Sequence, residues 1–511
     1  MDLESEKNLS VGALMHQGLE QAARRLGGRV FVRAGDDGWT FAELDARANG
    51  FAGHLAASGV SAGDRVAVMM SNRVEFVTAV HGVAKLGAAS VLLSPAWKAA
   101  EVDHALGLTA PVHAVADGAA VALLDGRVAG AVTDVDATRP APVDEPPTPR
   151  RPLRDTDESV LVFSSGTTGL PKAVRHTHRS MGHAIGHWRD VLALCEDDRF
   201  QVATPPTHIL GLLNLVTAAS AGATVRLHAR FDLEELLRRI QGDRITLEMA
   251  VAPIAIAMAN LPNLEDYDLS SLRYIMWGAT PVNATVARIV SERAGVRWLP
   301  AYGASEVPVI SCNPVHRPDA WRLDSAGLPV PGVDVRVADL DSGRILEPGG
   351  TGEIQVRSPS AMAGYLPEEA TAGAFADGWY RTGDVGWLEP DGWVHLTDRS
   401  KEMIKVNGFQ VAPAEIETVL LGHPSVLDCA VFGLPDERAG EVPVGVVQLD
   451  PDQVVTTDDL QQLVADSLAT YKQLRHVVVV DAIPRLPSGK VLRRQLRDEW
   501  APRLSAKGAR T

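Results

Sequence analysis

A short apolar run, Val160-Leu161-Val162-Phe163, passes directly into Ser164-Ser165-Gly166-Thr167-Thr168-Gly169-Leu170-Pro171-Lys172. The run has the length and composition of a buried strand. Glycines in the segment after it let the backbone turn tightly, so that N–H groups can converge on phosphate oxygens. The hydroxyls of Ser164, Ser165, Thr167 and Thr168 add donors, and Lys172 adds charge. A plain Ser/Gly turn between a strand and a helix is the bland alternative, but it has no need of Thr-Thr-Gly followed by Pro-Lys. The segment is not the common nucleotide loop GxxxxGKS/T, because Ala173 follows Lys172, and no GxGxxG fingerprint follows any strand. A different nucleotide chemistry is implied.

Around this segment, short apolar runs alternate with helical patterns. Val66 to Met70 and Ala89 to Leu93 read as buried strands and Val74 to Leu86 as a helix. Alternation resumes from Ser159 to about Tyr302 and argues for an α/β fold with mostly parallel sheets. Six prolines between Arg139 and Pro152 mark an exposed extended loop. Beyond Pro329 the pattern changes to short strands and turns such as Asp341-Ser342-Gly343 and Pro390-Asp391-Gly392, a β subdomain closing the large one. After Thr397 a helical face (Ile416, Val419, Leu420) and strand-like runs outline a compact α+β unit of about 110 residues. The expected fold class is therefore α/β. A large N-terminal domain of stacked α/β subdomains plus a β subdomain covers residues 1–397, and a small α+β domain covers 398–511.

The 511 residues carry a formal net charge of −15, which disfavours nucleic acid and anionic membrane as partners. Cys195, Cys312 and Cys429 are far apart and form no CxxC pair, so reduced thiols packed in cores are expected. Met1 to Lys7 is acidic and polar, unlike a secretory signal, and a cytoplasmic location is expected. The uncharged stretch from Ile209 to Val225 is diluted with Gly, Ala, Ser and Asn, and reads as a buried helix with its flanks, not a membrane span. Of 49 basic residues nine are lysine. Four of these, Lys172, Lys401, Lys405 and Lys490, fall within the segments Ser164 to Lys172, Asp398 to Lys405 and Pro487 to Arg494.

Ser164 to Lys172 resembles the signature loop of the adenylate-forming superfamily, which includes acyl-CoA synthetases, aryl-CoA ligases, peptide-synthetase adenylation domains and luciferases. Tyr302-Gly303-Ala304-Ser305-Glu306 resembles the family's aromatic–Gly–x–Thr–Glu segment, and Trp379-Tyr380-Arg381-Thr382-Gly383-Asp384 its ribose-binding stretch. Asp398 to Lys405, with Gly408-Phe409-Gln410, resembles the hinge and the loop after it. Pro487-Ser488-Gly489-Lys490-Val491-Leu492-Arg493-Arg494 resembles the C-terminal lysine motif. All stand in the family's order across most of the chain, from about Trp39 to Arg494.

The resemblance implies a mobile C-terminal domain and an acyl-CoA synthetase using ATP, Mg2+ and coenzyme A. It passes through an acyl-adenylate and transfers the acyl group to the thiol. By the same resemblance Ser164, Ser165, Gly166, Thr167, Thr168, Gly169 and Lys172 hold the β- and γ-phosphates, and Glu306 is the Mg2+ ligand. Tyr302 stacks on adenine with Gly303, Ala304 and Ser305 beside it, and Asp384 and Arg399 meet the ribose. Lys490 bridges carboxylate and α-phosphate during adenylation. Rotation about Lys401 then brings Gly408 to the pantetheine tunnel, with Lys405 and Gln410 steadying the adenylate and the loop.

His208, in Pro206-Thr207-His208-Ile209-Leu210-Gly211, resembles the gate between acid and thiol; a buried, hydrogen-bonded histidine at a helix start is the alternative. Apolar or small groups, Gly211, Ala252, Pro253, Gly278, Ala279, Gly303, Ala304 and Val309, outline the acid pocket, and a hydrophobic, bulky acid is favoured over an amino acid. His176, His178, His183 and His187 crowd one segment, but no cysteine or third ligand at suitable spacing supports zinc. Ala173 stands where the family has glycine, and Trp277 is large beside Gly278. If the Ala173 methyl pressed on the loop, the chain could be a ligase that takes only a preformed acyl-adenylate; a non-catalytic acyl-binding protein is the reading from another class. The expected partners are small molecules, with room left for a homodimer.

Overall fold

The computed structural model describes residues 14–164, 171–278, 282, 284–399, 401–407, 409–436, 438–486 and 489–508. Two sheets dominate it. A seven-stranded sheet runs in the order 364–366, 172–177, 158–164, 89–92, 65–69, 113–116, 132–134. A nine-stranded sheet runs 328–329, 311–312, 298–302, 274–277, 247–250, 199–202, 224–227, 30–34, 37–40. Their central strands pair in parallel and are buried on both faces, which is why they read as unbroken apolar runs. One large core joins them: Phe31, Val68, Val160, Phe200, Leu213 and Leu299 belong to a single apolar cluster.

Helices fill the space between these sheets. Val74–Leu86 packs on Phe41–Ala57, and His178–Leu192 packs on Ile209–Ala221. The Ile209–Ala221 helix lies wholly within the stretch expected to be buried, and it ends at Gly222, whose φ of +78° closes the last turn. No helix among the described residues is long and apolar enough to cross a membrane.

The segment after Pro329 forms an antiparallel sheet of strands 334–338, 352–357, 379–388 and 375–376, with 394–399 paired to 379–388. Strand Val394–Arg399 sets Arg399 opposite Asp384. The C-terminal part is α+β: strands 409–411, 404–406, 440–449 and 426–436, with 476–479 parallel to 440–449, and helices Pro413–Leu421, Thr457–Ser467 and Arg493–Gly508. It keeps its own cores, one around Ile404, Ile416 and Val431 and one around Phe432, Val444 and Leu496. Cysteine burial differs from expectation at one position, since Cys195 is exposed while Cys312 and Cys429 are buried.

Candidate functional site

The phosphate-loop segment joins two antiparallel strands, not a strand and a helix: Glu158–Ser164 returns as Lys172–Thr177, with Ser164 opposite Lys172. Ser165, Gly166, Thr167, Thr168 and Gly169 lie outside the described residues. Just after them, the Pro171 carbonyl accepts from His104 Nε2 at 2.8 Å, which ties the loop's end to helix Ala99–Thr109. Ala173 is fully buried in an apolar cluster with Val91, Leu106 and Leu161. Its methyl packs in this core. Lys172 emerges with its ammonium 5.1 Å from the centre of the Tyr365 ring.

Strand Trp298–Tyr302 delivers the next group. Past Tyr302 the chain doubles back, Ala304 N–H donating to the Val307 carbonyl at 2.9 Å. His176, one strand from the phosphate loop, meets the Ser305 carbonyl through Nε2 at 2.7 Å. A carbonyl only accepts, so Nε2 carries the proton. Burial holds this imidazole at a pKa of about 4, so it stays neutral. Glu306 is buried, and its Oε1 accepts from the Tyr365 phenol at 2.7 Å; the Tyr380 hydroxyl is 3.4 Å from that phenol. A single inward carboxylate with one oxygen held by a neutral donor fits Mg2+, which takes one or two protein carboxylates and completes its shell with phosphate and water.

Asp384 lies on strand Trp379–Leu388 just after Gly383, whose φ is +70°. Its Oδ2 accepts from the Tyr302 phenol at 2.6 Å and its Oδ1 from Arg399 Nε at 2.9 Å. The Asp384 charge, working against burial, holds the Arg399 guanidinium well above its ordinary pKa.

Tyr302, Asp384 and Arg399 open onto a cleft of about 230 Å³ between the two parts of the chain, which Lys172 and Glu306 do not line. Tyr302, Gly303, Asp384 and Arg399 line one side, Lys490 and Arg493 the other. Lys490 is carried in by Gly489, whose φ is +84° and whose absent Cβ would sit 2.8 Å from Pro253 Cδ. Pro487 and Ser488 lie outside the described residues. The Lys490 ammonium is 4.0 Å from Glu402 Oε1; burial, then the nearby Arg399 charge, lowers its pKa. Glu402 in turn pairs with Arg493, which also reaches Glu417 at 2.7 Å.

Lys405 and Gln410 are exposed on the hairpin of strands Ile404–Val406 and Phe409–Val411, away from the cleft. Lys401 is exposed as well, while Gly408 lies outside the described residues. Of the acid-pocket candidates, Ala252 and Gly303 line this cleft; His208, Gly211, Pro253, Gly278, Ala304 and Val309 do not, and Ala279 lies outside the described residues. His208 starts helix Ile209–Ala221, its Nδ1 accepting from Leu210 N–H at 3.3 Å, and burial takes its pKa to about 4. Val309 is core.

The smallness of Gly211 and Gly303 has a backbone cause. A Cβ on either would fall 2.1 Å from a carbonyl oxygen, that of Pro205 or Pro308. Room for the acid is not what they supply. Trp277 is buried against Trp298, ring centres 5.2 Å apart. Among the described residues no group of three or more His, Cys, Asp or Glu side chains could hold a metal, so the four crowded histidines form no such site.

Sequence reasoning missed Tyr365 altogether, and it placed Tyr380, Glu402 and Arg493 within motifs without giving them a role. Gly364-Tyr365-Leu366 reads as an ordinary strand fragment, and no spacing links it to Glu306.

Residues 19–366 match the family model described as AMP-binding enzyme, and residues 415–490 match that of the AMP-binding enzyme C-terminal domain. The chain is 35% identical over 503 residues to 4-coumarate–CoA ligase 2 of Oryza sativa subsp. japonica, covering 91% of this chain and 88% of that one. It is 32% identical to the long-chain-fatty-acid–CoA ligase FadD13 of Mycobacterium tuberculosis, covering 90% and 93%. Its structure resembles that of the anthranilate CoA ligase AuaEII in complex with anthranoyl-AMP. The TM-score is 0.89, with 26% identity, over 96% of this chain and 98% of that one.

Proposed function

We propose, from the premise that this chain belongs to the AMP-binding enzyme family and is an AMP-forming acid–thiol ligase, that its acid is hydrophobic and bulky, of the aryl or fatty class. The reaction takes ATP, Mg2+ and coenzyme A. The observation that carries the reading of the acid is the apolar wall formed by Ala252, Ile256, Trp277, Val282 and Ala301 beside Tyr302 and Asp384. Relatives named for 4-coumarate and for long-chain fatty acids lie on the same side.

In the first half-reaction an oxygen of the acid bonds to the α-phosphorus of ATP while the bond to pyrophosphate breaks. Two anions meet in line, so the site must neutralise charge and hold direction. Lys172 and the phosphate loop take the β- and γ-phosphates, and Lys490 bridges the attacking carboxylate and the α-phosphate. Tyr302 faces adenine, and the Asp384 carboxylate accepts from the ribose hydroxyls beside Arg399. Magnesium bound at Glu306 supplies charge neutralisation on the triphosphate.

In the second half-reaction the C-terminal part turns about Lys401, withdraws Lys490 and presents Lys405, Gln410 and the Gly408 segment. The thiolate of coenzyme A bonds to the acyl carbon, and AMP leaves with the electron pair of the broken C–O bond. Supporting this alternation, Lys490 lines the cleft while Lys405 and Gln410 are exposed, an arrangement suited to the first step.

The test is a panel of aryl, fatty and terpenoid acids, with amino acids and short dicarboxylates as comparison, incubated with ATP and coenzyme A and read by mass spectrometry. Thioesters of aryl or fatty acids are expected. Turnover confined to amino acids or short dicarboxylates would refute the acid class.

A further inference from the structure

We propose that Tyr365 is a positioning residue for the adenylation step, setting Glu306 and Lys172 so that one Glu306 oxygen is left to a divalent cation carried by the triphosphate. The proposal rests on the reading of Glu306 as the cation's protein ligand.

Tyr365 sits in the short edge strand Gly364–Leu366, paired antiparallel with Lys172–Thr177 so that it stands opposite Val174. Its backbone is fixed locally. The Tyr365 N–H donates to Thr371 Oγ1 at 2.9 Å, and Gly364, at φ +147°, passes so close that a Cβ there would lie 3.0 Å from the same oxygen. The ring thereby points into the protein and is 7% exposed.

The phenol donates to Glu306 Oε1 at 2.7 Å. A carboxylate only accepts, so the phenol proton lies on this bond, and at the 3.4 Å contact Tyr380 must be the donor to Tyr365. Two phenols in series thus commit Oε1 and leave Oε2 for a cation. A neutral donor suits this task, because an ammonium or guanidinium in its place would repel the divalent ion.

The same ring faces the other charged group of the site. The Lys172 ammonium stands 5.1 Å from its centre, within the range of a cation–π contact. The hydroxyl therefore acts on the metal ligand and the ring on the phosphate-loop lysine, and the two effects can be separated by substitution.

The experiment compares wild type with Tyr365→Phe, Tyr365→Leu and Glu306→Gln. Binding of Mn2+–ATP without acid is followed by the relaxation enhancement of water protons, and binding of metal-free ATP by equilibrium dialysis. Each protein is also assayed for thioester formation from a supplied acyl-adenylate. Tyr365→Phe should bind Mn2+–ATP about 10-fold more weakly, as loss of an outer partner of a metal ligand does. It should bind metal-free ATP normally and keep its thioester rate. Tyr365→Leu should in addition lose affinity for metal-free ATP, since Lys172 loses its platform.

Normal Mn2+–ATP binding by Tyr365→Phe overturns the proposal while Glu306→Gln binds weakly. If Glu306→Gln also binds normally, the reading of Glu306 is at fault and the proposal goes with it. Equal losses by Tyr365→Phe in Mn2+–ATP binding, metal-free ATP binding and thioester formation would mark a merely structural tyrosine and overturn the proposal too.

Discussion

The Tyr302 phenol donates to Oδ2 of Asp384 at 2.6 Å, although the two residues belong to different sheets. Arg399 holds Oδ1 of the same carboxylate at 2.9 Å. Asp384 is thus fixed by one neutral donor and one cation, and its remaining lone pairs are free to accept from ribose hydroxyls. Tyr302→Phe removes the neutral donor inside a buried site. A hydrogen bond to a charged group contributes roughly 1.5–3 kcal/mol, so urea unfolding should show a loss of that order. The KM for ATP should rise with it. Wild-type stability together with wild-type KM would contradict the pairing.

The three glycines near the site should separate cleanly. Gly211→Ala and Gly303→Ala each force a methyl to within 2.1 Å of a carbonyl oxygen, so the backbone must move. Strain of that kind costs roughly 1–3 kcal/mol or more, and both variants should melt well below wild type. Gly278→Ala meets Met276 Sδ at 3.5 Å, an ordinary contact, and should melt within a degree or two of wild type. Thermal unfolding of the three variants checks the order; equal melting of all three would remove the backbone explanation.

These glycines also mark what the sequence could reveal. Helix Val74–Leu86 was legible from its periodicity, and the core Val160–Phe163 of strand Glu158–Ser164 from its apolar run and the Ser/Gly segment after it, because both are local signals. The motif stretches were recognisable only by their resemblance to a known family, since Asp384 stands mid-strand in Trp379–Leu388 and Lys405 mid-strand in Ile404–Val406, where no local pattern singles them out. The Gly211 requirement is a close approach of Pro205 across a turn, which composition does not encode, so it read as spare room. The return strand Lys172–Thr177 is six residues long and leads at once into a helix, too short for its alternation to stand out. Tyr365 and Glu306 are 59 residues apart and meet across a sheet edge, a contact that no local pattern announces.

Acid should destabilise this protein through its buried imidazoles. Burial lowers the pKa of His81, His176, His178, His187, His208 and His228 to about 4 each. Unfolded, they titrate near about 6.5, so between that value and about 4 the unfolded chain binds more protons and stability falls as pH drops. Asp398, raised to about 6, and Glu248, raised to about 8, act in the opposite sense, because the folded form holds their protons. Six groups outweigh two, each acting at up to about 1.4 kcal/mol per pH unit within its window. Urea midpoints measured at constant ionic strength should therefore decline from neutral pH to about pH 5. A flat or rising midpoint over that range would show that these imidazoles are not neutral and buried together.

Lys490 separates the two half-reactions most sharply. It enters the cleft from the Gly489 turn, faces Tyr302, Asp384 and Arg399, and is steadied by Glu402 at 4.0 Å. In the proposed mechanism its ammonium adds positive charge where a carboxylate must approach a phosphate, a need that exists during adenylation alone. On the proposed alternation, thiol attack on the finished adenylate takes place under the opposite face of the C-terminal part, with Lys490 withdrawn. Removing one preorganised charge partner of a transition state slows a step by roughly 10²–10³-fold. Lys490→Ala should therefore lose pyrophosphate exchange by about that factor while thioester formation from supplied acyl-adenylate stays near wild type. Substitution by Arg should restore little, because a planar fork on a longer reach does not reproduce a compact point charge on this turn. Equal slowing of both half-reactions by Lys490→Ala would remove Lys490 from the adenylation step and assign it to the closed arrangement of the two parts.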